Sequence, residues 1–170
     1  MHYAVRHPGG ISKLILSSTA AQFRLDETMK MMRKLGGPRA ADVACEFFSN
    51  PSKAAYETYG QVCLPLYSNP NVPAAGAFRD RAIERPEVAF HFFSDEMAQM
   101  DMRAEIANIT CPTLVIGGAI DPVTPPICSK AIADAIGDNA RLRMFEGCGH
   151  GPHRDDPTGA EKIMRHFLAD

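Results

Sequence analysis

The sequence predicts an α/β fold built on three parallel strands, and three observations carry that prediction. Leu14-Ile15-Leu16 and Thr113-Leu114-Val115-Ile116-Gly117 are short unbroken apolar runs bounded by turn-forming residues. That is the pattern of strands buried on both faces. From Cys111 onward the chain alternates strand, helix, strand, helix, an order that implies parallel strands joined by right-handed crossovers. Between the two apolar runs the spacing of hydrophobic residues is helical.

The elements follow in order. Residues 1–7 read as the end of a helix, stopped by Pro8 and the Gly9-Gly10 pair. A strand over 11–17 comes next, ended by Ser17-Ser18-Thr19. Leu25, Met29, Met32 and Leu35 recur at helical spacing until Gly36-Gly37-Pro38. Further helices are expected over 40–48, 52–62, 74–84 and 86–100, separated by Asn50-Pro51, Pro65 and Asn69-Pro70-Asn71. Phe90, Phe92, Phe93, Met100 and Met102 are concentrated here. Such stripes ordinarily belong to a core, but this density makes some of them candidates to line a pocket. After the strand over 113–117, a helix over 127–136 starts behind Pro125-Pro126. A turn at Gly137-Asp138-Asn139, a strand over 141–145 and a helix over 157–168 complete the chain. The expected organisation is therefore 1–21 (helix end and strand), 22–108 (helical insert) and 109–170 (strands and helices of the body).

Composition narrows the class. A chain of 170 residues fits one domain, and 45% hydrophobic with 22% charged residues is ordinary for a globular protein. A net charge of −2 without blocks of like charge gives no reason to expect a nucleic acid or an anionic membrane as partner. No basic segment followed by an apolar one opens the chain, and no run of about 18 apolar residues occurs. Neither a signal peptide nor a membrane span is expected. Cys45, Cys63, Cys111, Cys128 and Cys148 are odd in number, with no C-x-x-C pair. Reduced thiols in a cytoplasmic protein are expected, without a zinc site. No metal-ligand cluster or phosphate-cradling loop is present, so no metal or organic cofactor is implied.

Two motifs carry chemistry. Gly117-Gly118-Ala119-Ile120-Asp121-Pro122 directly follows a buried strand, at the sheet end where functional groups collect. Asp-Pro is also a common turn starter, so Asp121 alone is ambiguous. Glu146-Gly147-Cys148-Gly149-His150-Gly151-Pro152-His153 directly follows the next strand, with glycines letting the backbone turn tightly around His150. One βα unit separates the two loops, so both emerge at one edge of the sheet. There a carboxylate can hold an imidazole in the tautomer that accepts a proton from a nucleophile.

These residues carry a resemblance. The segment from Cys111 to Pro125 and the run Gly147-Cys-Gly-His-Gly-Pro-His resemble the acid and histidine regions of α/β-hydrolases, in particular the proline iminopeptidase-like branch. Tyr3 to Pro8 and Lys13 to Leu16 look like the stretch that follows the nucleophile helix in those proteins. The resemblance implies the C-terminal part of such a fold, with Asp121 as triad acid, His150 as triad base, and 22–108 as the cap over the site. It implies hydrolysis of an ester, an amide or a lactone as the activity.

The chain departs from the family at the nucleophile. The family's serine stands in G-x-S-x-G, and no such motif occurs here. A base without nucleophile and oxyanion hole cannot run acyl transfer, so the chain alone is expected to be inactive. Three readings are weighed. In the first, the serine is supplied by sequence outside these residues. In the second, the chain is a non-catalytic module whose strand at Lys13 to Ser17 presents an open edge and pairs in a homodimer, or is covered by the chain's own helices. In the third, Cys148 is a nucleophile beside His150, although residues two apart on a tight turn rarely face each other. Asp95 and Glu96 could recognise a substrate amine, but a solvated helix face is the simpler expectation. His153 and Arg154 are expected to cap the last helix together with Asp155 and Asp156.

Overall fold

The structure, a computed structural model, describes residues 1–72, 83 and 85–169. Three strands, β1 (Leu14–Ser17), β2 (Thr113–Gly118) and β3 (Ala140–Phe145), form one parallel sheet in the order β1-β2-β3. The register sets Leu14 opposite Thr113 and Thr113 opposite Ala140. The strands thus start level, and their carboxyl ends lie along one edge. β1 is shorter than the expected 11–17, because its partner β2 begins at Thr113, opposite Leu14, and leaves residues 11–13 no strand to pair with on that edge.

The central strand explains its own sequence. β2 is buried at all six positions, with neighbours on both edges and helices on both faces. Val115 packs with Ile132 and Ile136 of helix α7 (Pro126–Ile136) on one face. Leu114 and Ile116 pack with Ala160 and Phe167 of helix α9 (Pro157–Ala169) on the other. Ahead of β1, helix α1 (His2–Arg6) places Ala4 in the same cluster as Val115.

Between β1 and β2 the chain is helical. Helix α2 (Leu25–Ser49) is broken at Gly37, whose φ of 75° and ψ of −173° only glycine adopts without strain. The expected boundary at Gly36-Gly37-Pro38 is real, and the second helix resumes at once instead of after a loop. Helix α3 (Lys53–Val62) starts behind Ser52, whose side chain accepts the N–H of Ala55 at 3.2 Å. A 3₁₀ turn, Leu64–Tyr67, follows it. Helix α4 (Pro86–His91), a π turn (Phe92–Glu96) and helix α5 (Met97–Gln99) run on end to end. Helix α6 (Arg103–Ile106) was not anticipated as a separate element. The expected helix over 74–84 lies, but for Ile83, outside the described residues.

This insert has its own core of Met32, Phe47, Phe48, Tyr59, Cys63 and Met97, with Phe90, Phe92 and Phe93 packed against it. Phe47 stacks on Tyr59 at 4.7 Å and Phe48 meets Phe93 edge-on at 5.0 Å. Met100 and Met102 belong instead to the cluster under the sheet. The insert leaves and returns at one point, where Gln22 bridges Asp101 and Met102 N–H donates to the Ala21 carbonyl at 2.8 Å. Among the described residues no helix is long and apolar enough to cross a membrane.

Candidate active site

The loop after β2 folds around Asp121. Its carboxylate is fully buried, and Oδ1 accepts the N–H groups of Val123 at 2.8 Å and Thr124 at 2.9 Å. Oδ2 accepts the Thr124 hydroxyl at 2.9 Å. A buried carboxylate is tolerable only when its lone pairs are taken, and this loop supplies three donors within three residues. The Thr28 hydroxyl donates to the Val123 carbonyl at 3.1 Å and ties α2 to the same loop.

The loop after β3 brings His150 to that carboxylate. Nδ1 lies 2.9 Å from Oδ2 and 3.1 Å from Oδ1 of Asp121, with the imidazole 25% exposed. A proton held between Nδ1 and the carboxylate leaves the Nε2 lone pair available as a base. Glycines make the approach possible. A Cβ on Gly118 would overlap the carbonyl oxygens of Gly149 and Cys148, and one on Gly149 would overlap the carbonyl of Tyr67. Ala119 N–H to Phe145 and Ile120 N–H to Cys148 then stitch the two loops together at 2.9 and 3.0 Å.

The insert also grips the histidine loop, which sequence reading missed. His150 N–H donates to the Tyr67 carbonyl at 2.7 Å, and the Tyr67 ring meets the imidazole edge-on at 5.3 Å. The Tyr67 and Tyr59 hydroxyls lie 2.7 Å apart, and burial pushes the Tyr59 phenol well up from its ordinary range. Asn69 donates its side-chain N–H to the Gly147 carbonyl at 2.8 Å. Asp155, at the end of helix α8 (Pro152–Asp155), accepts the N–H of Gly149 at 2.7 Å and of Asn69 at 3.0 Å through one oxygen.

Other candidates fare differently. Cys148 is 4% exposed and burial raises its thiol, which opposes a nucleophilic role. Asp95 and Glu96 are exposed, with Glu96 3.2 Å from His91, as a solvated helix face requires. The expected cap of the last helix is corrected: among the described residues Asp156 supplies it, to Gly159 N–H at 2.9 Å, while Asp155 is turned toward the histidine loop. Ser18, just past β1, has φ of 46°, rare for a residue with a side chain, and its buried Oγ has no hydrogen-bond partner among the described residues. Nothing in the local sequence signals that strain. Among the described residues no group of three or more His, Cys, Asp or Glu could hold a metal ion.

A parallel sheet with this insert between its strands is the C-terminal part of an α/β-hydrolase fold. Residues 1–157 match the family model for serine aminopeptidase, S33, and the chain belongs to that family. Proline iminopeptidase PfmaB of Pestalotiopsis fici is 25% identical over 174 residues, which cover 98% of this chain and 61% of that one. The crystal structure of a proline iminopeptidase from Mycobacterium smegmatis superposes with a TM-score of 0.67 at 22% identity, over 99% of this chain and 60% of that one. An esterase, RhEst1, from Rhodococcus sp. ECU1013 superposes with a TM-score of 0.65 at 17% identity, over 99% and 60%. The chain thus spans about three fifths of the length of these relatives.

Proposed function

We propose that these residues are the acid-and-base portion of a serine hydrolase acting on an ester, amide or lactone, in which Asp121 orients His150 as the general base. The observation that carries this reading is the buried Asp121 carboxylate, fixed by three donors of its own loop and set 2.9 Å from Nδ1 of His150. Such a carboxylate holds the ring with Nε2 directed away, ready to take a hydroxyl proton. The nucleophile lies outside these residues in this reading, since no serine here stands in G-x-S-x-G. Residues 1–21 and 109–170 form the body and 22–108 the cap, which meets the histidine loop at Tyr67 and Asn69. The likeness to proline iminopeptidases and to an esterase supports hydrolysis as the class of chemistry. Five cysteines without a disulfide fit a reducing compartment.

A second reading has its own observation. β1 is only partly buried and pairs with β2 alone among the described residues. Its other edge, from Lys13 to Ser17, could pair with a second copy in a non-catalytic homodimer.

The test is hydrolysis of p-nitrophenyl acetate by the purified chain and its His150→Ala variant, with intact mass recorded. Neither is expected to act above buffer. Fusion behind the nucleophile-bearing portion of the Mycobacterium smegmatis relative is expected to give turnover that His150→Ala reduces by at least about 10³-fold. Turnover by the isolated chain that His150→Ala abolishes would place a nucleophile inside it. Turnover of the fusion that survives His150→Ala would remove His150 from the role of base.

A further inference from the structure

Among the described residues the polar contacts of the His150 imidazole, with Asp121 and Thr124, are all made at Nδ1. A ring pinned at one nitrogen can still swing about that point, and at 25% exposure the imidazole has room to do so. A general base works only when held within roughly 0.5 Å and 10–20° of its productive pose. The ring therefore needs a restraint besides Asp121.

Tyr67 of the insert is placed to supply it. Its ring stands edge-on to the imidazole, with centroids 5.3 Å and planes 76° apart. Its carbonyl accepts the His150 N–H at 2.7 Å, so one residue holds both the backbone and the side chain of the histidine. The approach is close enough that a Cβ on Gly149 would overlap that carbonyl. Tyr67 is itself anchored. It ends the 3₁₀ turn Leu64–Tyr67, in which Leu66 N–H donates to the Cys63 carbonyl at 3.0 Å. Cys63 is fully buried, and its Sγ donates to the Ala40 carbonyl at 3.3 Å. The Tyr67 hydroxyl lies 2.7 Å from that of Tyr59, which α3 holds 4% exposed in the insert core. A tyrosine that only filled the insert core would have no need to offer its ring and its carbonyl to the histidine loop.

We propose that Tyr67 is a positioning residue for His150: its ring and carbonyl hold the imidazole in the pose in which Asp121 sets the tautomer. The proposal rests on the reading of His150 as general base. Since Tyr67 belongs to the insert and Asp121 and His150 to the body, the base is set only when the two parts are packed together. The test is long-range ¹H–¹⁵N correlation of the His150 imidazole in the full chain, with the ring neutral, in Tyr67→Ala, Tyr67→Phe and Leu66→Ala. Tyr67→Ala is expected to lose the preference for a proton on Nδ1. Tyr67→Phe, which keeps the ring and the carbonyl, should retain it. Leu66→Ala loosens the same turn and the same core, and should retain it too. In the fusion behind the nucleophile-bearing portion of the Mycobacterium smegmatis relative, Tyr67→Ala should lower kcat by about 10–10²-fold with KM within about twofold. The amide spectrum reports whether each variant folds. If Tyr67→Ala does not, Tyr67→Leu takes its place and must lose the preference as well. A preference unmoved by loss of the ring, one lost equally in Leu66→Ala, or a fusion that turns over with kcat unchanged would overturn the proposal. A fusion without any turnover would count against His150 as base, and the ¹⁵N spectra would still decide the role of Tyr67.

Discussion

β1 and β2 are written in almost the same alphabet, Leu-Ile-Leu-Ser against Thr-Leu-Val-Ile-Gly-Gly, yet their surroundings differ. Every residue of β2 is buried, while in β1 only Leu16 is, and Leu14 and Ile15 are half-covered. The hydrophobicity of a strand states what it is able to bury. How much it does bury depends on its neighbours. β2 has one on each edge, and β1 has β2 alone among the described residues.

The sharpest test of that contrast is a matched pair of truncations. Ile116→Ala in β2 should cost about 3 kcal/mol or more, the range for emptying a fully packed site, while Ile15→Ala in β1 should cost roughly 1 kcal/mol. Urea denaturation measures both, and equal losses would mean that β1 is covered in solution as completely as β2. Next in size is the acid loop that extends β2. Thr124→Val preserves shape but removes a donor from a buried carboxylate, and should cost about 1–3 kcal/mol by the same measurement.

Amide exchange reads the edge of β1 directly. Ser18 N–H is bonded to the Ile116 carbonyl at 2.9 Å, whereas Ser17 is exposed, so Ser18 should exchange at least about tenfold more slowly. Protection of Ser17 that grows with protein concentration would favour the homodimer. The smallest effect concerns the residue just past β1. Ser18→Gly relieves a left-handed backbone and should raise stability by up to about 1 kcal/mol, seen as a small rise in Tm.

β1 and β2 were legible in the sequence because each is a short apolar run between turn-formers, β3 because it follows the turn at Gly137-Asp138-Asn139 in the strand–helix alternation, and Gly37 marked a true break because its backbone needs positive φ. That the Asp121 and His150 loops emerge side by side was legible too, since one βα unit in a parallel sheet returns the chain to the same edge. The grip on the histidine loop was not. Asn69 meets Gly147 across 78 residues and Asp155 across 86, and such contacts leave no local pattern. The π turn at Phe92–Glu96 and the strain at Ser18 are likewise set by packing, not by the propensity of the residues that carry them.

The pairing of Asp121 with His150 is the centre of the account, and long-range ¹H–¹⁵N correlation of the imidazole nitrogens tests it most directly. With the ring neutral, the account predicts a proton on Nδ1, a bare Nε2, and loss of that preference in Asp121→Ala while Thr28→Ala keeps it. A neutral His150 protonated on Nε2, or a tautomer indifferent to Asp121→Ala, would contradict it.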